Sequence, residues 1–175
     1  RNQFGLRNAD EVTSTPPITS YIYFTIRSNS TASMCIIGST PGTLLNCSTV
    51  ASGLNNPVGS YSNNGYYYIS SFSFGSILQY TIDPSSGLLG NNVTNNGFLG
   101  PHAVAVNGNY SYVLNYTSSK VSLCTVNSDG TFSGCVQTPA GVTFSNPTGI
   151  FVSNNYAYIT NGSIVTKCTV NSDGT

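Results

Sequence analysis

The stretch Tyr110-Ser-Tyr-Val decides the fold of this chain, because it is one of four copies of the same pattern within 175 residues. The Tyr-x-Tyr signature recurs at intervals of 45, 44 and 46 residues, and its copies begin at Tyr21, Tyr66, Tyr110 and Tyr156. A second landmark keeps almost the same spacing, at Cys35, Tyr80, Cys124 and Cys168. A turn glycine follows each of these, at Gly42, Gly87, Gly130 and Gly174. Three landmarks that hold one period indicate a repeat protein.

Each copy has the composition of four short strands. A proline suits the start of the first strand, where no ladder N–H is needed, and it occurs at Pro57, Pro101 and Pro147. Asn-Gly turns such as Asn64-Gly65 predict tight hairpins, and no window shows the 3.6-residue period of a helix. The sequence therefore predicts an all-β fold, a β-propeller of four-stranded antiparallel blades with about 3.5–4 blades present.

The period also predicts where the blades lie. We expect an irregular segment or partial first strand over 1–17, then blades over 18–56, 57–100 and 101–146, and an incomplete blade over 147–175. Residues 168–175 copy 124–131 one for one, so we expect the natural protein to continue into a larger propeller or assembly. The ring is then completed by further sequence or by several chains, unless the sheets stack as an open array.

Charge and hydropathy exclude several classes of partner. Only 6% of the residues are charged and the formal net charge is zero, which leaves no basic footprint for nucleic acid. No apolar stretch is long enough to span a bilayer. The hydrophobic fraction of 39% is that of a chain with a packed core.

The cysteines fall at matched places in the repeat. Cys35 and Cys47 are 12 residues apart, Cys124 and Cys135 are 11 apart, and the second copy lacks both members together. Joint presence and joint absence predict two hairpin disulfides, and hence an oxidising compartment, secreted or at the cell surface. Cys168 has no partner in the sequence, so it pairs beyond Thr175, stays free or bonds another chain. One histidine and no C-x-x-C motif argue against a metal, and we expect no cofactor.

Two stretches resemble a known family. Ala157-Tyr-Ile-Thr-Asn and Ser111-Tyr-Val-Leu-Asn are similar to the Tyr-Val-Thr-Asn repeat of bacterial surface-layer and lactonase-like propellers. The segment from Ser119 to Cys135 is similar to disulfide-bearing versions of that repeat in secreted bacterial proteins. The resemblance covers about residues 20–175 and implies a propeller. It also implies that His102, in Gly-Pro-His, faces the axial site of a lactonase as a general acid/base or substrate contact.

The residues themselves give His102 little support as a catalyst. It aligns with Val58 and Thr148, so any residue that fits a strand start satisfies the position. The acids Asp83, Asp129 and Asp173 share one turn, where Asp caps its own backbone. The remaining acids, Asp10 and Glu11, lie in the irregular N-terminus.

Two further patterns bear on partners. The Tyr-x-Tyr ladder either fills the space between blades or, with the many asparagines, forms a lectin-like surface that would be multivalent. Asn-x-Ser/Thr sequons, which are compatible with glycosylation, occur at Asn29, Asn46, Asn92, Asn109, Asn115 and Asn161.

Taken together, these features favour a non-enzymatic binding, adhesion or assembly module, such as a subunit of an extracellular filament or surface layer. Its partners would be proteins, through self-association or a surface partner, or glycans. The alternatives are a lactonase-like hydrolase that uses His102 and a multivalent lectin.

Overall fold

The computed structural model describes residues 20–138 and 144–175, and the irregular segment predicted over 1–17 lies outside these ranges. The described residues form four antiparallel sheets and no α-helix, which confirms the predicted all-β propeller architecture. The first sheet has three strands in sequential order, with a short 3₁₀ turn at Arg27–Asn29 between the first two. They are β1 (Tyr21–Ile26), β2 (Thr31–Ile37) and β3 (Leu44–Ser52).

The next two sheets have four strands each, and the last has three. The second sheet comprises β4 (Pro57–Asn63), β5 (Tyr66–Ser71), β6 (Ser76–Ile82) and β7 (Leu89–Asn96). The third comprises β8 (Pro101–Asn107), β9 (Tyr110–Asn115), β10 (Lys120–Val126) and β11 (Phe132–Gln137). The fourth comprises β12 (Pro147–Ser153), β13 (Tyr156–Asn161) and β14 (Ile164–Thr169).

The first strands of neighbouring sheets lie against each other. β8 contacts β4 on one side and β12 on the other. Gly59 in β4 is required at this approach, because a Cβ there would lie 2.4 Å from the carbonyl oxygen of His102. The first strands therefore converge on one axis, and the later strands of each sheet fan outward from it, as in a propeller.

An apolar cluster fills each of the three gaps between sheets. Between the second and third sheets, Tyr68 and Ile77 pack on Val104, Val113 and Cys124. Equivalent clusters lie between the first and second sheets and between the third and fourth. Both faces of the middle sheets are thus covered, which explains why every residue after the first is buried in their second strands, β5 and β9.

One hydrogen bond recurs in all three gaps. In the first three Tyr-x-Tyr pairs the second tyrosine donates its hydroxyl to the carbonyl of the turn glycine in the next sheet. The distances are 2.6 Å for Tyr23 to Gly87, 3.0 Å for Tyr68 to Gly130 and 3.0 Å for Tyr112 to Gly174. Of the two roles that the sequence leaves open for this ladder, these copies perform packing between blades. Burial, followed by the nearby Tyr66 and Asp129, raises the pKa of Tyr68 to about 12, so its hydroxyl remains a donor at neutral pH.

The two disulfides have the predicted pairing. Cys35 bonds to Cys47 and joins β2 to β3, and Cys124 bonds to Cys135 and joins β10 to β11. They indicate an oxidising compartment. Cys168 in β14 has no sulfur partner among the described residues, and burial against the third sheet raises the pKa of its thiol. Within residues 20–138 and 144–175, no helix is long and apolar enough to cross a bilayer.

The sequon at Asn115 does not suit a glycan on the folded chain. Its side chain is 0% exposed, accepts a hydrogen bond from the Leu99 N–H at 2.9 Å and donates to Ser122 Oγ at 2.9 Å. The prediction is corrected at this position, because a glycan needs the amide in solvent. The sequons at Asn29, Asn46, Asn92 and Asn109 are exposed, Asn161 is half-buried, and glycosylation at these five stays a prediction.

Replacing Tyr68 tests the packing of the second gap. We expect Tyr68→Phe to lower the free energy of unfolding by about 1 kcal/mol, because one buried hydrogen bond is lost. Tyr68→Ala should cost about 3–5 kcal/mol, because it also leaves a cavity. Urea denaturation measures both. Tyr61→Phe is the control, since the Tyr61 hydroxyl makes no hydrogen bond within the described residues and should change stability by less than about 0.5 kcal/mol. Equal losses for Tyr68→Phe and Tyr61→Phe would contradict the assigned role.

Removing the Cys124–Cys135 disulfide tests how much this bond stabilises the folded chain. The double change Cys124→Ser and Cys135→Ser should lower the free energy of unfolding by about 2–3 kcal/mol, because the unfolded chain regains the freedom of an 11-residue loop. Thermal or urea unfolding without reductant measures the loss. Cys168→Ser is the matched control and should leave stability almost unchanged, since its sulfur bonds no other cysteine among the described residues.

Candidate functional site

His102 lies at the start of β8, at the end of the propeller where the first strands begin. Its Nδ1 is 2.9 Å from the backbone carbonyl oxygen of Thr148 in β12, so the ring bridges the first strands of the third and fourth sheets. A carbonyl only accepts hydrogen bonds, so the neutral ring carries its proton on Nδ1. This leaves Nε2 with a lone pair that can accept a proton.

Two aromatic rings lie next to His102 and next to each other. The Tyr116 ring centroid is 5.6 Å from that of His102 and the Phe72 centroid is 6.4 Å away, while Phe72 and Tyr116 are 6.0 Å apart. Phe72 directly follows β5 and Tyr116 directly follows β9, so equivalent turns of two sheets supply them. All three side chains are half-buried. The group offers a weak base beside two apolar ring faces, an arrangement that suits a ligand with both polar and C–H surfaces.

Gly100 allows this group to assemble. It has a φ of +61°, and a Cβ there would lie 2.3 Å from Thr117 Oγ1 and 3.1 Å from the Phe72 ring. Its carbonyl accepts a hydrogen bond from the Tyr116 N–H at 2.9 Å. A side chain at this position would therefore separate the loop before β8 from the turn that carries Tyr116.

The carboxylates of the described residues are used in their own turns, as the sequence predicts. Asp129 accepts hydrogen bonds from the N–H and hydroxyl of Thr131, and Asp173 does the same with Thr175. Asp83 accepts from the Ser85 hydroxyl and from the N–H groups of Ser85 and Ser86, and these bonds lower its pKa to about 2. Within residues 20–138 and 144–175, no cluster of three or more His, Cys, Asp or Glu could hold a metal ion.

The sequence identifies His102 as a candidate, but it does not identify Phe72, Tyr116 or the Thr148 carbonyl as its neighbours. Phe72 and Tyr116 are 44 residues apart and each follows a Tyr-x-Tyr strand, so the repeat itself carried the signal. The role of the Thr148 carbonyl cannot be predicted from the sequence, because every residue has a backbone carbonyl. Cys168, which the sequence left without a role, packs between the third and fourth sheets, away from the His102 group.

The Asp turns give a testable pH dependence. Their carboxylates have lowered pKa values when folded, so the stability they contribute is fully present above the unfolded pKa of about 4 and is lost as the pH falls toward 2. We expect the thermal midpoint to be nearly flat from pH 7 to 5 and to drop between about pH 4 and pH 2. The triple change Asp83→Asn, Asp129→Asn and Asp173→Asn should flatten that drop. An unchanged acid profile in the triple variant, followed by circular dichroism, would contradict this role.

Comparisons with solved structures show the fold. A protein from Bacteroides uniformis, provisionally assigned as a 6-phosphogluconolactonase, matches with a TM-score of 0.64 at 19% identity over 89% of this chain and 51% of its own. The periplasmic gluconolactonase of Pseudomonas aeruginosa matches at 0.58 and 15% identity over 74% and 38%. A chain of the nidogen/laminin complex matches at 0.67 and 14% identity over 90% and 59%.

No family model matches the sequence, and no curated protein matches it. The chain spans about half the length of the solved structures it resembles. At 14–19% identity these likenesses show a β-propeller fold and no more.

The main functional prediction needs correction. A non-enzymatic binding, adhesion or assembly module is contradicted by the solved neighbours, which include the Bacteroides protein and the Pseudomonas gluconolactonase. The names of these two neighbours match the first alternative, a lactonase-like hydrolase, better than they match the main prediction. The neutral, asparagine-rich composition favours a binding module, whereas the single Pro-His at a strand start is the sequence feature that fits a lactonase.

Proposed function

We propose that this chain belongs to a lactonase-like propeller hydrolase, and that His102 is the general base that opens a cyclic ester of a sugar acid. The observation that carries the proposal is the hydrogen bond from His102 Nδ1 to the Thr148 carbonyl at 2.9 Å. It holds the ring in one orientation with Nε2 as the proton acceptor. The names of the solved neighbours support the same class of reaction.

The proposed hydrolysis follows from the His102 tautomer that carries its proton on Nδ1. Nε2 removes a proton from a water molecule as the water oxygen adds to the lactone carbonyl. The tetrahedral intermediate collapses with cleavage of the ring C–O bond, and the imidazolium returns the proton to the departing alkoxide. Water is consumed and a hydroxy acid forms, so no metal, oxidant or further reactant is needed.

The aromatic rings orient the substrate in this proposal. Sugar lactones present C–H groups on the faces of their ring, and the adjacent Phe72 and Tyr116 rings offer apolar surfaces beside the base. Because the chain spans about half the length of its solved neighbours, these 175 residues supply one part of the substrate site.

We also assign the protein to the secreted, disulfide-bearing propellers with the Tyr-Val-Thr-Asn repeat. The quoted repeat stretches and the two hairpin disulfides support this placement. Disulfides form and persist in the oxidising environment outside the cell, so the two staples fit a secreted protein.

His102→Asn is the decisive change. The asparagine amide can still donate to the Thr148 carbonyl, so the fold is kept while the base is removed. We expect hydrolysis of glucono-1,5-lactone, or of its 6-phosphate, to fall by about 100-fold or more with an unchanged thermal midpoint. Lactone loss is followed by the proton released as the acid ionises.

Asn109→Ala is the matched control, because Asn109 is exposed in the hairpin at the other end of β8. It should keep the full rate. Two results would overturn the proposal: no hydrolysis of either lactone above the buffer rate, or equal rates for His102→Asn and the unchanged protein.

A further inference from the structure

Two large apolar side chains are exposed at the end of the propeller that carries His102. Phe74 is 59% exposed in the turn between β5 and β6, and Leu99 is 52% exposed in the loop before β8. Both segments lie at the end where the first strands begin, since they follow β5 and precede β8. Further blades would be added beside the first and fourth sheets, so they would not cover this end of the second and third sheets.

Backbone hydrogen bonds hold these two segments together. The Phe98 N–H donates to the Gly75 carbonyl at 3.1 Å, so the β5–β6 turn and the loop before β8 lie side by side. On its other side the loop joins the turn after β9, because the Thr117 N–H donates to the Leu99 carbonyl at 3.2 Å. Four neighbouring residues of these segments define a surface that we call the apolar strip: Phe72, Phe74, Leu99 and Tyr116.

The repeat shows that the fold does not require apolar residues at the two exposed positions of the strip. Phe74 is placed by its distance from the Tyr-x-Tyr strand, and Leu99 by its distance from the next strand-starting proline. At both positions the other copies carry small polar residues. They are Asn29 and Ser118 for Phe74, and Asn55 and Ser145 for Leu99. The two exposed apolar residues therefore occur together only beside His102.

The position before Leu99 shows the contrasting case of an apolar residue that the fold does require. Phe98 corresponds to Leu54 and Phe144, and all three are at most 6% exposed. Each belongs to the apolar cluster of one gap between sheets. Packing explains the apolar residue at this position in three copies, but it does not explain Phe74 and Leu99, which face solvent.

The charges of the described residues leave the strip apolar. The carboxylates lie in turns at the opposite end of their sheets, in Asp83, Asp129 and Asp173. Two cations lie at the same end as the strip but are not members of it. Arg27 donates through its Nε to Asn56 Oδ1, and Lys120 begins β10. A group that lies on the strip therefore meets mainly aromatic and aliphatic surface.

We propose that the apolar strip holds an alkyl or acyl chain attached to the lactone ring that His102 opens. The strip starts beside this base at Phe72 and continues to Phe74 and Leu99, so a chain that leaves the ring can lie along it. Apolar surface removed from water stabilises the bound chain in proportion to its length. The proposal rests on the lactonase proposal and adds the chemical class of the group that the substrate carries outside its ring.

Two lactones of equal ring size test the chain. δ-Valerolactone carries no substituent, and δ-decalactone carries a pentyl chain on the carbon that bears the ring oxygen. We expect kcat/KM to be about 10-fold or more higher for δ-decalactone, because several CH₂ groups leave water on the strip. Equal kcat/KM values for the two lactones would overturn the proposal.

A double variant tests the two exposed residues. Phe74→Ser with Leu99→Ser installs the residues that Ser118 and Ser145 already provide in another copy, so the fold should be kept. We expect the preference for δ-decalactone to fall to about 2-fold or less, with the δ-valerolactone rate and the thermal midpoint unchanged. Leu88→Ser is the matched control, since Leu88 is also 52% exposed but lies in the β6–β7 turn at the opposite end. Equal loss of preference in the double variant and the control would contradict the assigned strip.

Binding of the matching lactams separates this proposal from the lactonase proposal. δ-Decalactam has the same shape and chain but resists hydrolysis, so calorimetry gives its Kd. We expect this Kd to be about tenfold lower than that of δ-valerolactam, and the difference to vanish in the double variant. If no lactone is hydrolysed but δ-decalactam keeps this preference, the lactonase proposal falls and the strip remains a chain-binding site.

The opposite result overturns the strip alone. Lactones are then hydrolysed through His102, but the two lactams bind equally. If the double variant also has a smaller mass in solution than the unchanged protein, a second protein chain rather than a substrate chain covers the strip.

Discussion

The tyrosine hydroxyl that reaches from one sheet to the turn glycine of the next is the contact on which the rest of the structure depends. It occurs in each of the three gaps, at 2.6–3.0 Å. The glycine must stay a glycine for two reasons, since its backbone is left-handed and a tyrosine ring occupies the space of a Cβ. This pair of residues therefore fixes how closely a tyrosine strand approaches the turn of the next sheet.

The same contact explains how a chain with so few charges holds its shape. The clusters between sheets bury apolar side chains on both faces of the middle sheets, and the Asp turns fix the position of the glycine carbonyl through local hydrogen bonds. The carboxylates are thus structural, which leaves His102 as the residue of catalytic type at the axial end among those described. A rigid stack of sheets suits such a site, because first strands that converge on an axis hold His102 and the Thr148 carbonyl in fixed relation.

Because every internal gap has the same chemistry, the open faces at the two ends are understood by comparison with the buried ones. Tyr68 and Tyr158 hold the same repeat position, but the following sheet buries Tyr68, whereas Tyr158 has no following sheet among the described residues. In a repeat protein, the buried faces between inner repeats therefore show which contacts an uncovered face is missing. The solved neighbours, which are about twice as long as this chain, have the same fold.

The repeat of about 45 residues is enough to predict much of this protein's architecture from its sequence. It predicted the all-β propeller, the strand starts at Pro57, Pro101 and Pro147, and both disulfide pairs, because period, turn chemistry and matched cysteines are local properties of the sequence. Only the tertiary structure decided which tyrosines cover which glycines, that Asn115 is buried, and that Phe72, Tyr116 and the Thr148 carbonyl surround His102. These relations join residues of different sheets, and packing across a gap depends on the direction of each side chain, which spacing along the chain does not record.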